Sequence, residues 1–469
     1  MEKIIQQISL ELARKITERY TKGEIFDLGK MAEDILGDCK ESAREILQVF
    51  LSRINEDIRS DKQFRRGSGL VIKEKDRPRR ILTQLGQIDY VRDYYYAKED
   101  GQYSFVLDEM IGVRPYERVD DTLSARLVTL ATDMSYARSA KIAAEGTVSR
   151  QTVRSKILSC APLEKEPSEK SREVRELHLY ADEDHVHMQK EGKRRGKKNR
   201  MVPLVTVTEG TQSVSGRRNR TVGTMHFVDE DFNTKHLWES VAGYIGTAYC
   251  RPEETEIYVH GDGGAWIRNG LSEYYPKVTY VMDGYHFEKR LRNLAVKFPD
   301  RQVKQCIRSA VRNDDRKRTE QYLQDLGSTA PDEKARKAAE EFAIYLLSNW
   351  DEIRNLHIDE IPGSCTEGQV SHVLSERFSR DPLGWSSRGL GKLSVLRVYR
   401  LNGGTITADA FREDTDRKGS YRDKLEEILK SELAGAKDWS IFEAETPVFD
   451  SASATRRMID GYGKMRYLS

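Results

Sequence analysis

Cysteine is scarce in this sequence, and long apolar runs are missing from it. Its 469 residues include five cysteines and no CxxC pair, which argues against a zinc ribbon or a disulfide framework and predicts a reducing compartment. No run of about 18 apolar residues occurs, so we expect no membrane span. The first residues, MEKIIQQISLELARKITERY, lack the basic start, apolar middle and cleavage site of a signal peptide. These absences together predict a cytoplasmic protein.

Net charge is also small, at +2, and by itself indicates no preference for nucleic acid. Basic residues are concentrated instead in KEGKRRGKKNR at 190–200, where seven Lys or Arg stand against one Glu. This run is either a contact for DNA phosphates or the solvated tip of a hairpin. The basic residues proposed to contact DNA are Lys193, Arg194, Arg195, Lys197, Lys198 and Arg200.

Helical and β-type patterns follow each other in the first part of the chain. Residues 1–62 carry apolar residues at helical spacing, which predicts a helical region that packs on a partner helix or on a second subunit. Residues 69–97 alternate near period two, which predicts a small β-hairpin unit. Its interleaved basic and aromatic residues are Arg79, Arg80, Tyr90 and Tyr94. They either contact DNA or pack, and packing is the favoured interpretation.

Residues 120–158 return to helical spacing, with two short helical patterns on either side of a turn at Gly146. Ser149 is a typical N-cap for the second pattern. This layout is that of a helix-turn-helix, whose second helix contacts bases, although many helical hairpins share it. The residues expected to contact DNA are Arg150, Gln151, Thr152 and Arg154. The charged stretch at 161–173, which contains two prolines, is expected to be an exposed linker.

Strand patterns dominate from residue 174 onward. Three of them, at 176–189, 201–210 and 220–229, have hairpin-length connections and predict an antiparallel meander. Helical and strand patterns then alternate, including a helix in AWIRNGLSEYY, so the expected fold class is α/β with a mixed sheet. Residues 288–358 are almost wholly helical in pattern.

Acidic residues stand at three marked places in this part of the chain. Asp182 and Asp184 lie in the middle of the first strand pattern, where strand alternation puts them on one face. Asp262 ends a later strand in the phrase HGDGG, and Glu367 lies near the start of a helical pattern. Carboxylates that converge at strand ends suit Mg²⁺ or Mn²⁺, and two such ions can catalyse phosphodiester cleavage or transfer.

Two of these residues also have a purely structural interpretation. Asp262 can cap the helix expected after it, and Glu367 in a first helical turn is ordinary helix-dipole chemistry. The glycines around Asp262 do not predict a phosphate-binding P-loop, because Ala-Trp-Ile follows them instead of Lys-Ser/Thr. They are expected to let backbone and DNA approach closely beside the carboxylate.

Four phrases of the sequence resemble, in the same order, those of DDE-class bacterial insertion-sequence transposases related to the Mutator group. The phrases are ADEDHVHMQ, HGDGGAWI, VMDGYHFEKRL and CTEGQVSHVLSERFSRDPLGWS. The resemblance covers roughly residues 65–440 and implies an RNase H-like catalytic core with a helical insertion before the catalytic Glu. The implied regions are an N-terminal helical region (1–62), a β unit with the helix-turn-helix (63–160), the core (174–287 and 359–440), the insertion (288–358) and a tail (441–469).

The same resemblance implies roles for individual residues. Asp182, Asp262 and Glu367 would be the catalytic metal ligands, with Asp184 as the rival for the first position. The family's Asp-x-x-His motif matches Asp283 and His286, which lie 21 and 24 residues after Asp262. These two would support the site or contact DNA, although His286 can equally be an ordinary helix-start histidine.

The implied function is that of a transposase. Such a protein binds the terminal repeats of its mobile element, cleaves with a metal-activated water and joins the freed 3′-hydroxyl to target DNA. The implied partners are two Mg²⁺ or Mn²⁺ ions, double-stranded DNA of the element ends and target, and at least one further subunit, in the bacterial nucleoid. Alternatives are an RNase H-like nuclease or resolvase without strand transfer, and a catalytically inactive, transposase-derived DNA-binding protein.

Overall fold

The computed structural model describes residues 2–21, 27–165, 167, 171–189, 199–215, 218–357, 365–381, 383–412 and 418–435. These residues form two compact units. Unit 1 comprises the described residues up to Asp120 together with those from Arg412 onward, and unit 2 comprises those from Asp121 to Phe411. Within these ranges, none of the helices is long and apolar enough to cross a membrane.

Unit 1 combines helices with a three-stranded antiparallel sheet in the order β1-β2-β3. Its elements up to Asp120 are α1 (Glu2–Thr21), α2 (Leu28–Ser60), α3 (Lys62–Gly67), β1 (Leu70–Thr83), β2 (Gly86–Ala97), β3 (Tyr103–Ser104) and α4 (Val106–Met110). The predicted helical region and hairpin are therefore confirmed. Ile54 and Ile58 of α2 pack with Ile88 and Tyr95 of β2 in the core of this unit.

The interleaved residues of the hairpin mostly pack, as the sequence predicted. The Tyr90 hydroxyl donates to the Asp108 carboxylate at 2.7 Å. Arg79 donates to the carbonyl of Arg114 at 3.1 Å, and Arg80 pairs with Asp89 at 2.8 Å.

Unit 2 begins with three short helices, α5 (Asp121–Ala131), α6 (Tyr136–Ala144) and α7 (Arg150–Ser159), which pack on one another. The turn after α6 passes through left-handed backbone at Glu145 and Gly146, with φ of 52° and 78°. The Ser149 hydroxyl then caps α7 by accepting from the Thr152 N–H at 3.1 Å. The two predicted helices and the turn between them are present, and their role as a DNA-binding helix-turn-helix stays a prediction.

A five-stranded mixed sheet follows, in the order β10-β9-β4-β5-β8. The strands of unit 2 are β4 (Glu176–His187), β5 (Asn199–Thr208), β6 (Thr211–Ser215), β7 (Arg218–Thr221), β8 (Met225–Phe227), β9 (Glu256–Gly261) and β10 (Val278–Met282). Strands β4, β5 and β8 are antiparallel, whereas β9 is parallel to both β4 and β10. The predicted mixed α/β class is confirmed.

Two element predictions in this region are wrong. The single strand expected at 220–229 is divided between β7, which pairs with β6 in a separate sheet, and β8. Gly223 lies between them at a φ of 60°, which breaks the extended chain. The helix expected in AWIRNGLSEYY is only α9 (Ala265–Arg268). Gly270, just beyond it, packs so closely on Trp238 that a Cβ would overlap the indole ring.

The remaining helices cover the sheet and form the predicted helical stretch. They are α8 (Thr234–Ala248), α10 (Gly284–Ala295), α11 (Val303–Arg312), α12 (Arg316–Ser328), α13 (Glu333–Ser348), α14 (Trp350–Arg354), α15 (Thr366–Val370), α16 (Glu376–Phe378) and α17 (Ser387–Leu401). A π-helical segment, Ser371–Ser375, joins α15 to α16. The last described helix, α18 (Lys418–Gly435), packs on α2 and α4 in unit 1.

Candidate active site

Strand β4 alternates between two kinds of surroundings. Leu179 and Ala181 point into an apolar core that α8 completes on one side of the sheet. Tyr180 and Asp182 point to the opposite side, against which α15 packs. We call this second side the polar face. Asp182 therefore lies on the central strand of the sheet, on its polar face.

Asp262 follows the last residue of β9, the parallel neighbour of β4. The register pairs Tyr180 of β4 with His260 of β9, and each aspartate lies two residues farther along its strand. Strand β9 ends just before Asp262, whereas β4 continues past Asp182 to His187. The two aspartates therefore occupy matching positions on neighbouring parallel strands, with Asp262 at a strand end and Asp182 within its strand.

The glycines around Asp262 are required by neighbouring protein atoms. A Cβ at Gly261 would lie 3.1 Å from the carbonyl oxygen of Ala181 and 2.8 Å from Ile267. Gly263 has a φ of 88°, and a Cβ there would overlap Asn349. The close approach that these glycines allow in this structure is therefore between segments of the protein, and close approach by DNA beside Asp262 stays a prediction.

Asp262 does not cap the helix that follows it. The residue at the N-cap of α9 is Gly264, and α9 has no side-chain cap. One Asp262 oxygen, Oδ1, accepts the Gly264 N–H at 2.9 Å. This hydrogen bond fixes the turn.

Burial and like charge act together on Asp182. Burial, with smaller contributions from the neighbouring Glu183 and Asp262 carboxylates, raises the pKa of the Asp182 carboxyl to about 6. The Glu183 N–H, at 2.9 Å from Asp182 Oδ1, and His286 act in the opposite direction. Asp182, Glu183, Asp262 and His286 thus form one electrostatic group, in which carboxylates outnumber the single histidine.

Asp283 caps α10 and orients the start of that helix. Its Oδ1 accepts the N–H groups of Tyr285 at 2.8 Å and His286 at 3.2 Å. Its own N–H donates to the Gly261 carbonyl at 2.7 Å, which ties the end of β10 to the end of β9. Asp283 is 3% exposed, so in this structure it acts on the acidic group through the position of His286.

Glu367 lies on α15 and is exposed. Its helix contacts β4, and the Cys365 thiol before the helix adds to the raised pKa of Tyr180. In the described part of the chain, no three His, Cys, Asp or Glu side chains converge as metal ligands, so Glu367 does not complete such a group with the two aspartates. The structure therefore brings the two aspartates together and leaves Glu367 apart.

Asp184, the rival for the first position, has a different partner. Its Oδ2 accepts a hydrogen bond from the Ser379 hydroxyl at 2.6 Å. Asp182 has no such side-chain hydrogen-bond donor in the described residues. The geometry favours Asp182 over Asp184 as a residue with a carboxylate available for a ligand.

The two aspartates suit a divalent cation by their chemistry. Neither Asp182 nor Asp262 forms an ion pair with a lysine or arginine within the described ranges. Both aspartates are half-buried, where a carboxylate without a cationic partner is costly, and carboxylate oxygens are the preferred ligands of Mg²⁺ and Mn²⁺. Asp182 and Asp262 are the residues that would hold such an ion.

The residues expected to contact DNA fall into two groups. On α7, Arg150 and Gln151 are exposed, whereas Thr152 and Arg154 are half-buried. In the basic run, Arg200 donates to the Asp231 carbonyl at 3.1 Å. The rest of that group, Lys193, Arg194, Arg195, Lys197 and Lys198, lies outside the described residues.

Three residues near the aspartates were missed by sequence reasoning. Trp266 donates from Nε1 to Glu183 at 3.1 Å, and burial raises the pKa of Glu183. Tyr345 of α13 has a buried hydroxyl without a partner in the described residues. Burial, Asp262 and Asp283 raise its pKa to about 12. Glu183 could have been found in the acidic phrase ADED, but a helical pattern gives no sign of Tyr345.

Arg397 of α17 joins the three short helices α5–α7, which we call the helix triplet, to the π-helical segment that follows α15. Its guanidinium donates to the carbonyls of His372 at 2.7 Å and Val373 at 2.6 Å, both in the π-helical segment. It also donates to the carbonyl of Thr132 at 2.9 Å and to the Asp133 carboxylate at 2.8 Å, just beyond α5. One buried side chain therefore binds two helical segments of unit 2.

The sequence family of the chain is now defined by comparison. The chain belongs to the family described as Uncharacterised protein family (UPF0236), whose profile matches residues 21–415. It is 32% identical over 412 residues to a UPF0236 protein of Caldanaerobacter subterraneus subsp. tengcongensis, covering 86% of this chain and 85% of the relative. The printed name of another 32%-identical UPF0236 protein of that organism joins eleven locus designations.

Two further proteins are more distant. A UPF0236 protein in the vanSb 3′ region of Streptococcus gallolyticus is 24% identical over 395 residues, covering 80% of this chain and 83% of the relative. Among solved structures, a chain of the Drosophila P element transposase strand transfer complex is 14% identical, with a TM-score of 0.20. That match covers 69% of this chain and 88% of the other. A TM-score this low does not establish a shared fold.

Proposed function

We propose that this protein is a DDE transposase of a bacterial insertion sequence, with an RNase H-like catalytic core. The observation that carries the proposal is the matched register of Asp182, within β4, and Asp262, just after the end of the parallel strand β9. Along the chain, the three antiparallel strands β4, β5 and β8 of this sheet precede β9 and β10, which are parallel to each other. This is the strand sequence that the resemblance to Mutator-related transposases implies.

The relatives add a second line of support. A protein name that joins eleven locus designations from one organism fits a sequence that recurs through a genome. Recurrence of this kind is what a mobile element produces, and it has no obvious cause in a housekeeping nuclease.

The proposed mechanism assigns a task to each part of unit 2. Asp182 and Asp262 would hold Mg²⁺ or Mn²⁺, with Glu367 as the proposed third ligand because its helix packs on the Asp182 strand. When bound, two such ions activate the attacking hydroxyl and stabilise the leaving oxygen of an in-line displacement. Trp266 holds the Glu183 side chain, and Asp283 fixes the helix start that carries His286 beside Asp182.

DNA contacts are proposed for two surfaces. The exposed start of α7, with Arg150 and Gln151, would read the element ends from the major groove. The basic run at 190–200 would contact the phosphate backbone of target DNA without regard to sequence. We also propose at least a dimer, since two element ends must be joined to one target.

The test is a cleavage and joining assay with the full chain, Mg²⁺ and DNA that carries the element's terminal repeats. We expect cleaved ends and joined products from the parent and from D184N, and neither product from D182N, D262N or E367Q. Cleavage without joining would instead indicate the nuclease or resolvase. Specific binding to the repeats without any cleavage would indicate the inactive DNA-binding protein.

A further inference from the structure

Unit 1 carries a row of three tyrosines with a cation at each end. The Lys73 ammonium lies 5.2 Å from the ring centroid of Tyr96, and the Arg77 guanidinium lies 5.2 Å from that of Tyr94. Between them, the Tyr103 ring lies 5.0 Å from Tyr96 and 5.4 Å from Tyr94, nearly parallel to the latter at 18°. We call these five residues the tyrosine row.

The pairing of the three strands explains how the row forms. Tyr94 and Tyr96 alternate along β2 with Tyr95, which is 1% exposed in the core. Strand β3 pairs Tyr103 with Tyr96, which brings the third ring beside the other two. The same face of β2 carries Tyr90 and Arg92, which are buried by α4 and Phe105, so the row is the more exposed part of this face.

The tyrosines of the row differ from those of the core. The core residues Tyr90 and Tyr95 direct their hydroxyls to the carboxylates of Asp108, at 2.7 Å, and Asp93, at 3.5 Å. None of the three row hydroxyls forms a hydrogen bond among the residues that the structure describes. Tyr103 is also 53% exposed, so its ring is open to a ligand.

The charges beside the row favour an anionic ligand. Lys73 is exposed and lies over a ring. The carboxylate nearest to Arg77 is that of Glu74, at 3.5 Å, and both side chains are about half exposed. An ion pair this exposed contributes little and is readily exchanged for a phosphate.

We propose that the tyrosine row binds unpaired nucleotides of single-stranded DNA. A base would stack on the exposed Tyr103 ring, and the phosphates on either side would meet Lys73 and Arg77. Tyr94 and Tyr96 are half-buried and support the Tyr103 ring from beneath. Stacking on aromatic side chains tolerates any base, so binding would depend little on sequence. This inference does not rest on the proposed transposase function, since it uses neither the acidic site nor the helix triplet.

A proline-rich peptide is the other class of polymer that binds rows of aromatic rings. The cations at both ends favour the nucleic acid, because such a peptide has no phosphates for them to bind. Salt distinguishes the two ligands. Added salt should weaken the binding of nucleic acid, which releases counterions, and should have little effect on the binding of a proline-rich peptide.

The test measures fluorescence anisotropy of a labelled oligothymidylate of about 15 nucleotides with the full chain at several salt concentrations. We expect Y103A to bind at least about fivefold more weakly than the parent, because one stacking ring is lost. Y103F should bind like the parent, since stacking does not need the hydroxyl. K73Q should bind more weakly and with a shallower dependence on salt.

The matched control is Y116A, which removes a tyrosine that is 94% exposed and lies outside the row. It should bind like the parent. The inference fails if Y103A binds oligothymidylate as tightly as the parent, or if the parent does not bind it. It also fails if a proline-rich peptide displaces the strand, or if R150A abolishes binding while Y103A preserves it.

Discussion

The two faces of the five-stranded sheet share one backbone but differ in chemistry. On one face, residues such as Leu179 and Val259 pack with α8 in a continuous apolar core. On the other face, polar side chains lie among a few apolar ones, such as Val202 and Leu204, which pair with Asp184 and Asp182. Those polar positions include His178, Tyr180, Asp182, Thr206, Thr208 and His260.

The polar face is nearly as well buried as the apolar one. His178 and His260 are 0% and 1% exposed, and a contact of 3.4 Å joins their ring nitrogens. Burial lowers the pKa of His260 to about 3. Burying polar groups costs free energy that an apolar face does not incur. We infer that the apolar face stabilises the sheet and that the polar face has a functional role.

The largest expected effect is on catalysis, from D182N or D262N on the polar face. Each should reduce DNA cleavage about 100- to 1,000-fold, the order typical of losing a preorganised electrostatic group. Stability should not fall in D182N. The pKa of Asp182 is raised from 3.8 to about 6 in the folded state, so stability falls as pH rises from about 3.8 to about 6 and stays lower above that. The amide removes this cost.

Cleavage rate and urea denaturation of the same preparations check this prediction. D300N, at an exposed aspartate, is the control and should match the parent in both. A D182N protein that is unfolded would show that the carboxylate has a structural role, in contradiction to the inference.

The next effect is on stability, from L179A on the apolar face. Deleting a fully buried leucine side chain should lower the free energy of unfolding by about 2–5 kcal/mol, measured by urea denaturation. Cleavage at a temperature where the protein stays folded should change little. V214A, at a valine that is 65% exposed, should shift stability by less than about 0.5 kcal/mol. A loss below about 1 kcal/mol in L179A would remove the distinction between the faces.

A third effect is on stability at low pH, and it depends on His226 of β8. The Nδ1 atom of His226 lies 2.9 Å from the Thr206 hydroxyl. Burial lowers the pKa of His226 from 6.5 to about 4. Between these values the unfolded chain binds more protons, so stability is complete above pH 6.5 and falls as pH drops towards 4.

Between about pH 7 and about pH 4, the parent should therefore lose up to about 3 kcal/mol more stability than H226N. Urea denaturation at several pH values measures this difference. H236N, which removes an exposed histidine, should keep the parent's dependence on pH. Parallel pH curves for the parent and H226N would show that His226 is not buried in its neutral form.

The smallest expected effect is that of D184N. It tests whether cleavage depends on Asp182 alone or also on the neighbouring carboxylate of the polar face. Loss of the charged acceptor for Ser379 should lower the free energy of unfolding by about 1 kcal/mol, and S379A should have a similar effect. Cleavage by D184N should stay near that of the parent. If D184N lost cleavage while D182N retained it, Asp184 would be the residue at the first position.

The sequence predicted those parts of this arrangement that depend on local periodicity. Strand alternation placed Asp182 and Asp184 on one face, and the strand pattern before Asp262 placed that residue at a strand end. The cap of α7 by Ser149 was equally local. The parallel pairing of β4 with β9, which brings Asp182 and Asp262 together, rested on the family resemblance.

The parts that could not be predicted depend on contacts between distant residues. Asp184 differs from Asp182 because Ser379, 195 residues away, donates to it. Arg397 donates hydrogen bonds to backbone carbonyls of the π-helical segment after α15. The residue pattern of 366–378 predicts neither the π-helical segment nor this contact. The strand pattern at 220–229 continues through Gly223, although the strand is divided there. The helical pattern of AWIRNGLSEYY likewise continues through Gly270, beyond the end of α9.

The central claim is that the polar face holds a divalent cation between Asp182 and Asp262. Calorimetric titration of the full chain with Mn²⁺ tests it without DNA and without turnover. We predict binding by the parent and by D184N, and loss of that binding in both D182N and D262N. A parent that does not bind Mn²⁺, or a D262N protein that binds it as the parent does, would contradict the claim.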